Sequence, residues 1–296
     1  MNRRKSIGAL LSVITSSVLL KGRAFAAAPS TQNMPTGNAY LMAHFMENDQ
    51  KLYYAYSTDA RNWTALNNRK PVFDAGVDLR DPFIGRAKGT FHMVHTKGWD
   101  HPVIHHYSST DLLTWTGGEI KVISDAKKRA WAPEWIYDDQ EDLFYLFWAS
   151  ESDGRNRIFY TTTKTWDDIT PERSSMYFDI GTDDIDLTIT KAQGKYHAFH
   201  KCGSLADNLS IFHMTSLTLN PKDKNFGFGK QGKGTPITAE VVKPIEGPEI
   251  IKLNNQQRWY VYADPFYNDF LAWETTDFIR YKRIPISVPR GTKHCS

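Results

Sequence analysis

The sequence predicts an all-β fold, a five-bladed β-propeller, and three observations carry that prediction. Short strands rich in aromatic and β-branched residues alternate with polar turns, and no long stretch shows helical periodicity. The strand pattern also recurs about every 50 residues, a period in the range of blade repeats. A β-sandwich, the competing all-β reading, needs no such regular period.

The first recurring strand follows a turn and alternates: Gly89 to Thr96, Asp142 to Trp148, Gly194 to His200 and Gln257 to Tyr262. A second strand comes after each, at Leu52–Asp59, Val103–Asp111, Arg157–Thr162, Leu209–His213 and Asp269–Asp277, and three of these end in a Ser/Thr-Thr-Asp turn. A further aromatic strand starts near Trp63, Trp115 and Tyr281. Five copies of a mostly antiparallel sheet close radially, which protects the strand edges. The stretch from Asn38 to Thr64 then completes the last blade in space, closing the ring with the C-terminal strands. Asn220–Thr235, rich in Gly and Lys, reads as one long surface loop between blades, and no linker-like shift divides residues 27–296 into more than one domain.

The N-terminus stands apart. Arg3, Arg4 and Lys5 precede an apolar run from Ile7 to Leu20, and Ala24-Phe25-Ala26 offers small residues for cleavage. This is the pattern of a secretory signal over residues 1–26, removed near Ala26, and it implies a secreted or periplasmic protein. The segment holds five basic and no acidic residues, so its removal takes the formal net charge from +3 to −2. No electrostatic case for nucleic acid is left. Nothing after residue 30 reaches the roughly 18 consecutive apolar residues of a membrane span. A monomer is expected. Cys202 and Cys295 are the only cysteines and form no disulfide framework, although export would permit them to pair. Asn62-Trp63-Thr64 and Asn208-Leu209-Ser210 fit the glycosylation pattern.

In a propeller the innermost strands run along the axis, so residues distant in sequence share one pocket at their beginnings. Four such beginnings are legible: Leu79–Ile84, Trp131–Ile136, Asp184–Ile189 and Glu246–Ile251. Three place an acid ahead of the apolar strand, namely Asp81, Asp186 and Glu246. Hydrolysis of a glycosidic bond requires such a set, with one carboxylic acid to protonate the leaving oxygen and another, ionised, to activate water or attack the sugar. A third carboxylate nearby raises the acid's pKa by like-charge repulsion. Glu134 and Glu249 occupy one repeated position and read as part of the blade.

The ordered set Arg80-Asp81-Pro82, Trp131-Ala132-Pro133-Glu134, Ile185-Asp186 and Glu246-Gly247-Pro248 resembles the family 43 glycoside hydrolases over nearly the whole chain after the signal. The resemblance implies Asp81 as general base, Glu246 as general acid and Asp186 as the residue that tunes the acid. It implies inversion of configuration, for which the two carboxyls stand about 6.5–9.5 Å apart. It implies arabinofuranosides as substrates, with xylosides and galactofuranosides behind. Two departures stand out. The family often carries its base in the first blade whereas Asp81 lies in the second repeat, and Leu187 follows Asp186 where related sequences often have Pro. His294 resembles a histidine that family members direct into the channel, sometimes beside a structural calcium; no cofactor is otherwise required.

Sugar rings present apolar faces, so Trp99 and Trp131 are candidates to stack on substrate, and Arg80 to orient a carboxylate or a hydroxyl. His105 and His106 point to opposite faces of a strand and cannot readily share one ion. No His-Glu-x-x-His, Cys-x-x-Cys, Gly-x-Ser-x-Gly or phosphate-binding Gly loop occurs. Two other functions compete. A fructan hydrolase on the same fold would need an Asn-Asp-Pro-Asn motif that Met46–Gln50 lacks, and a non-catalytic glycan-binding propeller would not need three acids.

Overall fold

The computed structural model describes residues 39–203, 210–230, 232–241, 244–266 and 270–296. The expected signal, Asn208 and the expected strand starts at Leu209 and Asp269 lie outside them. Five four-stranded antiparallel sheets form a ring, a five-bladed β-propeller. Blade 2 runs outward as β4 (Leu79–Ala87), β5 (Thr90–Lys97), β6 (Val103–Ser109) and β7 (Thr116–Lys121). Blade 3 is β8 (Trp131–Asp138), β9 (Leu143–Ser152), β10 (Arg155–Thr163) and β11 (Ser175–Phe178). Blade 4 is β12 (Asp184–Ala192), β13 (Lys195–Cys202), β14 (Ile211–Ser216) and β15 (Thr235–Pro236), and blade 5 is β16 (Glu246–Lys252), β17 (Trp259–Asp264), β18 (Leu271–Thr275) and β19 (Lys282–Ile284).

Blade 1 is built from both ends of the chain. Its inner strand is the C-terminal β20 (Thr292–Cys295), and β1 (Tyr40–Met46), β2 (Tyr53–Ser57) and β3 (Thr64–Ala65) follow outward. The N-terminal strands therefore join the C-terminal strand, as expected, but the blade they complete is separate from β16–β19.

The aromatic strands pay off between the blades. Among the described residues five buried clusters are present, one at each junction of neighbouring blades. Trp148, Trp259 and Trp273 are among the most deeply buried side chains. At ~25 cal/mol per Å² each contributes about 4–6 kcal/mol of burial. The Thr-Asp turns have a local cause. Asp59, Asp111 and Asp277 each accept two backbone N–H bonds at 2.8–2.9 Å from residues two and three positions on. The residue between, Ala60, Leu112 or Phe278, takes a positive φ and buries its side chain at a blade junction.

The 220–235 segment departs from the surface-loop expectation. Phe226 and Phe228 are buried and pack on Tyr177 between blades 3 and 4, anchoring the loop to the core.

Candidate active site

All five inner strands break their ladders at one register. In blade 2, Arg80 pairs with Thr96 and Phe83 with Val94, so Asp81 and Pro82 together face the single residue His95. The same two-against-one bulge puts Ala132-Pro133 opposite Trp148, Asp186-Leu187 opposite His200, and Gly247-Pro248 opposite Ala263. In blade 1 it puts His294-Cys295 opposite His44. The first residue of each bulge is left-handed, with φ of 48° at Asp81, 44° at Ala132, 56° at Asp186, 55° at Gly247 and 26° at His294. That conformation costs a non-glycine residue on the order of 1–3 kcal/mol and is characteristic of functional sites. These five residues line one cavity at the axis.

Asp81 and Asp186 thus occupy equivalent positions. Glu246 does not; it precedes its bulge and is the counterpart of Arg80, while Gly247 stands where blades 2 and 4 carry Asp. Three equivalent acids were expected, and the structure shows two plus one. Glu246 reaches the cluster because its longer side chain extends from the position before the bend.

His294 joins the three acids. Its Nδ1 lies 2.9 Å from Asp81 Oδ1 and its Nε2 lies 3.3 Å from Glu246 Oε1, so the two carboxylates sit at opposite edges of one imidazole. Gly247 makes this placement feasible, since a Cβ there would stand 2.9 Å from His294 Cδ2. Asp186 Oδ2 accepts the Gly247 N–H at 3.0 Å. Asp81 Oδ2 accepts from Thr96 Oγ1 at 2.7 Å, and Glu246 Oε2 accepts from Lys201 Nζ at 2.8 Å.

These contacts set the charges. Burial works to raise the Asp81 carboxyl, but the His294 charge and hydrogen bond, Arg80 and Thr96 outweigh it and hold it below its ordinary value. Burial likewise opposes ionisation of Glu246, yet His294 and Lys201 pull its carboxyl down to about 2. Asp186 goes the other way. Burial, together with the charges of Glu246 and Asp81, pushes it to about 6 against the pull of His294 and Lys201. Burial lowers the His294 ring, but Asp81, Glu246 and Asp186 overcome that and raise it well above 6.5. These shifts favour a proton on His294 first and on Asp186 next. A raised pKa on Glu246 was expected; the neighbouring cations, which sequence could not place, reverse it.

One step further along the inner strands, Glu134, Thr188 and Glu249 occupy equivalent positions, as expected for Glu134 and Glu249. Burial and the charge of Glu249 raise the Glu134 carboxyl well above 4.5, partly opposed by a Thr188 hydrogen bond.

Ligand atoms of Asp186, Glu246 and His294 lie within 4.8 Å of one another. This set does not fit calcium, which takes six to eight oxygen ligands, whereas here one of three groups is an imidazole whose two nitrogens both face carboxylates.

Arg80, Trp99 and Trp131 lie outside the residues that line the cavity at the axis. Arg80 is buried, its guanidinium 4.1 Å from the Trp99 ring centroid and 4.8 Å from that of Phe45, and it pairs with Glu47 at 3.0 Å. That is a structural clamp, with Trp99 itself 54% exposed above it. Trp131 donates its indole N–H to the Trp99 carbonyl at 2.8 Å and carries Arg129 on its face. His105 and His106 do point apart, one packing at a tilt against His95 and the other stacking on Trp166. Cys202 and Cys295 are buried and are not joined in a disulfide.

Sequence reasoning missed Thr96 and Lys201. A signal was available in the two repeats Phe91-His-Met-Val-His95-Thr96 and Tyr196-His-Ala-Phe-His200-Lys201, which align through both histidines and end on these residues.

Comparison with known proteins gives the same direction. The chain is 26% identical over 234 residues to an α-L-arabinofuranosidase of Bifidobacterium longum, covering 64% of this chain but only 22% of that relative. An endo-1,4-β-xylanase from Bacteroides thetaiotaomicron superposes with a TM-score of 0.63 at 14% identity, covering 87% of this chain and 95% of that one. An α-L-arabinanase of Cellvibrio cellulosa gives 0.57 at 14% identity, over 86% and 97%. These two likenesses show the fold. The model of a probable glycosyl hydrolase domain related to family 43 matches residues 36–296, and the chain belongs to that family of glycoside hydrolases.

Proposed function

We propose that this protein is a secreted, monomeric, inverting glycoside hydrolase that removes α-L-arabinofuranosyl groups from polysaccharide side chains, with no cofactor in the reaction. The observation that carries the catalytic reading is the bridge of His294 between Asp81 and Glu246. It holds the two carboxylates apart at opposite edges of a fixed ring, which supports a separate acid and base of the kind inversion uses.

Asp81, ionised and held at both oxygens, takes a proton from water as that water attacks the anomeric carbon. Glu246 protonates the leaving oxygen from the other side. Its proton comes from His294, whose Nε2 faces Glu246 Oε1, once the sugar has excluded water from the cavity. Asp186, pushed up to about 6 by burial and by the charge on Glu246, takes up the cluster's next proton as the pH falls through that value, while His294 holds its own at neutral pH. Trp99 and Trp131 supply an aromatic wall for the sugar. The α-L-arabinofuranosidase relative and the apolar wall support the choice of sugar.

The experiment is hydrolysis of a panel of aryl glycosides, led by the α-L-arabinofuranoside, by wild type, Asp81→Asn and Glu246→Gln, with the product anomer followed by NMR. Turnover with inversion is expected, reduced about 10²–10⁴-fold by Asp81→Asn on every substrate and by Glu246→Gln on those whose leaving group needs a proton. No turnover on any sugar leaves the glycan-binding propeller as the better account.

The higher pKa of Asp186 favours a second reading in which Asp186 is the proton donor. A leaving group that needs no protonation decides between them. Glu246→Gln should retain activity on a dinitrophenyl glycoside and lose it on an alkyl one; that pattern in Asp186→Asn instead would exchange the roles.

A further inference from the structure

The residue facing the position just before each bulge sits on the second strand of its blade: Phe45, Thr96, Ala149, Lys201 and Asp264. Four of them reach the inner strand of the next blade. Phe45 lies under Arg80, and Thr96 Oγ1 accepts the Ala132 N–H at 2.8 Å. Lys201 donates to Glu246 at 2.8 Å, and Asp264 accepts from Lys293 at 3.3 Å and from the His294 N–H at 3.5 Å. Thr96 and Lys201 are both buried.

Two of these residues hold the proposed base and acid, Thr96 within its own blade and Lys201 across to the next. The Thr96 hydroxyl has its acceptor side occupied by the Ala132 N–H, which points its only proton at Asp81 Oδ2. With His294 on Oδ1, the carboxylate of Asp81 is fixed at both oxygens and its plane is set. Blade 3, whose bulge carries no acid, thereby orients the acid of blade 2. Lys201 does the corresponding work across the axis. It holds Glu246 Oε2, leaving Oε1 as the oxygen that faces His294.

We propose that Thr96 and Lys201, at one register on the second strands of blades 2 and 4, are the positioning residues of the base and of the acid respectively. The proposal rests on the catalytic roles given above. Each acts on a different limb of the pH profile. Losing the Thr96 donor removes support for ionised Asp81, whose other charged or titratable neighbours are His294, Arg80, His95 and Asp186. Losing Lys201 removes a cation from the group of Glu246, His294 and Asp186, which then hold their shared proton to higher pH.

The test compares kcat, KM and pH profiles of wild type, Thr96→Val, Thr96→Ser, Lys201→Met and Lys201→Arg on the aryl arabinofuranoside. Thr96→Val should move the acidic limb up by about one pH unit and lower kcat about tenfold with KM unchanged, and Thr96→Ser should restore both. Lys201→Met should move only the basic limb up, by about one unit, while Lys201→Arg holds it in place. Limbs that stay fixed while thermal stability falls would make both residues packing groups and overturn the proposal. The same variants are titrated without substrate by carbon NMR of the Asp81 and Glu246 carboxyls. If wild type hydrolyses none of the glycosides, the enzymatic reading fails, and upward shifts of Asp81 in Thr96→Val and of Glu246 in Lys201→Met still decide the positioning claim.

Discussion

At the bulge of blade 4 the left-handed residue is Asp186; at the bulge of blade 5 it is Gly247, and its N–H donates to that aspartate at 3.0 Å. Blades 2 and 3 form a similar pair, for Asp81 receives the Thr96 hydroxyl that Ala132 N–H orients. The backbone is bent alike in all four, yet two bulges offer a carboxylate and two offer only an amide. The difference teaches that the repeat fixes where a group stands, while residue choice decides whether it acts by side chain or by backbone. A fifth acid or base at Ala132 or Gly247 would crowd an axis already holding three acids and an imidazole.

The comparison breaks most severely at the acid-bearing bulge. Asp81→Asn keeps the shape, removes the proton acceptor, and should lower kcat by about 10²–10⁴-fold in the glycoside assay. At the glycine bulge, Gly247→Ala places a methyl 2.9 Å from His294 Cδ2 and strains a φ of 55°. The ring must move off Asp81 and Glu246, with a loss of about tenfold or more in kcat, on the order of one lost charge-assisted hydrogen bond. Calorimetry should also show about 1–2 kcal/mol of destabilisation.

Glu134 sharpens the comparison one layer along the strands, where the acid is out of the catalytic cluster. Its folded pKa is raised above 4.5, so between 4.5 and that raised value the folded state holds a proton that the unfolded chain has lost. Stability therefore declines as pH rises through this window. Glu134→Gln has no such proton, and its melting temperature should fall less than wild type's between pH 5 and pH 8. The smallest effect is expected at the alanine bulge. Ala132→Gly relieves a φ of 44° but frees the unfolded chain, for a net gain of about 0.5 kcal/mol by denaturant unfolding.

Much of this was legible beforehand. The recurrence of strands such as Phe91–Thr96 and Tyr196–His200 fixes the blade count, because five equal sheets with aromatic faces bury those faces against one another. Asp81, Asp186 and Glu246 stood out at inner-strand positions and His294 by the family resemblance, and the structure brings the four together. Other readings turned on contacts between blades. Arg80 looked free to meet a substrate, but Glu47, Phe45 and Trp99 enclose it, and two of those belong to blade 1 or the turn that follows its inner pair.

By itself, then, the sequence determined the blade period, the alternation of each strand and the residue types offered to the axis, since these depend on neighbours along the chain. Tertiary structure decided the charges. Whether Glu246 or Asp186 holds a proton depends on Lys201 from blade 4 and His294 from blade 1. Electrostatic energies at a buried site vary with distances of a few ångströms, and those distances exist only once the ring has closed.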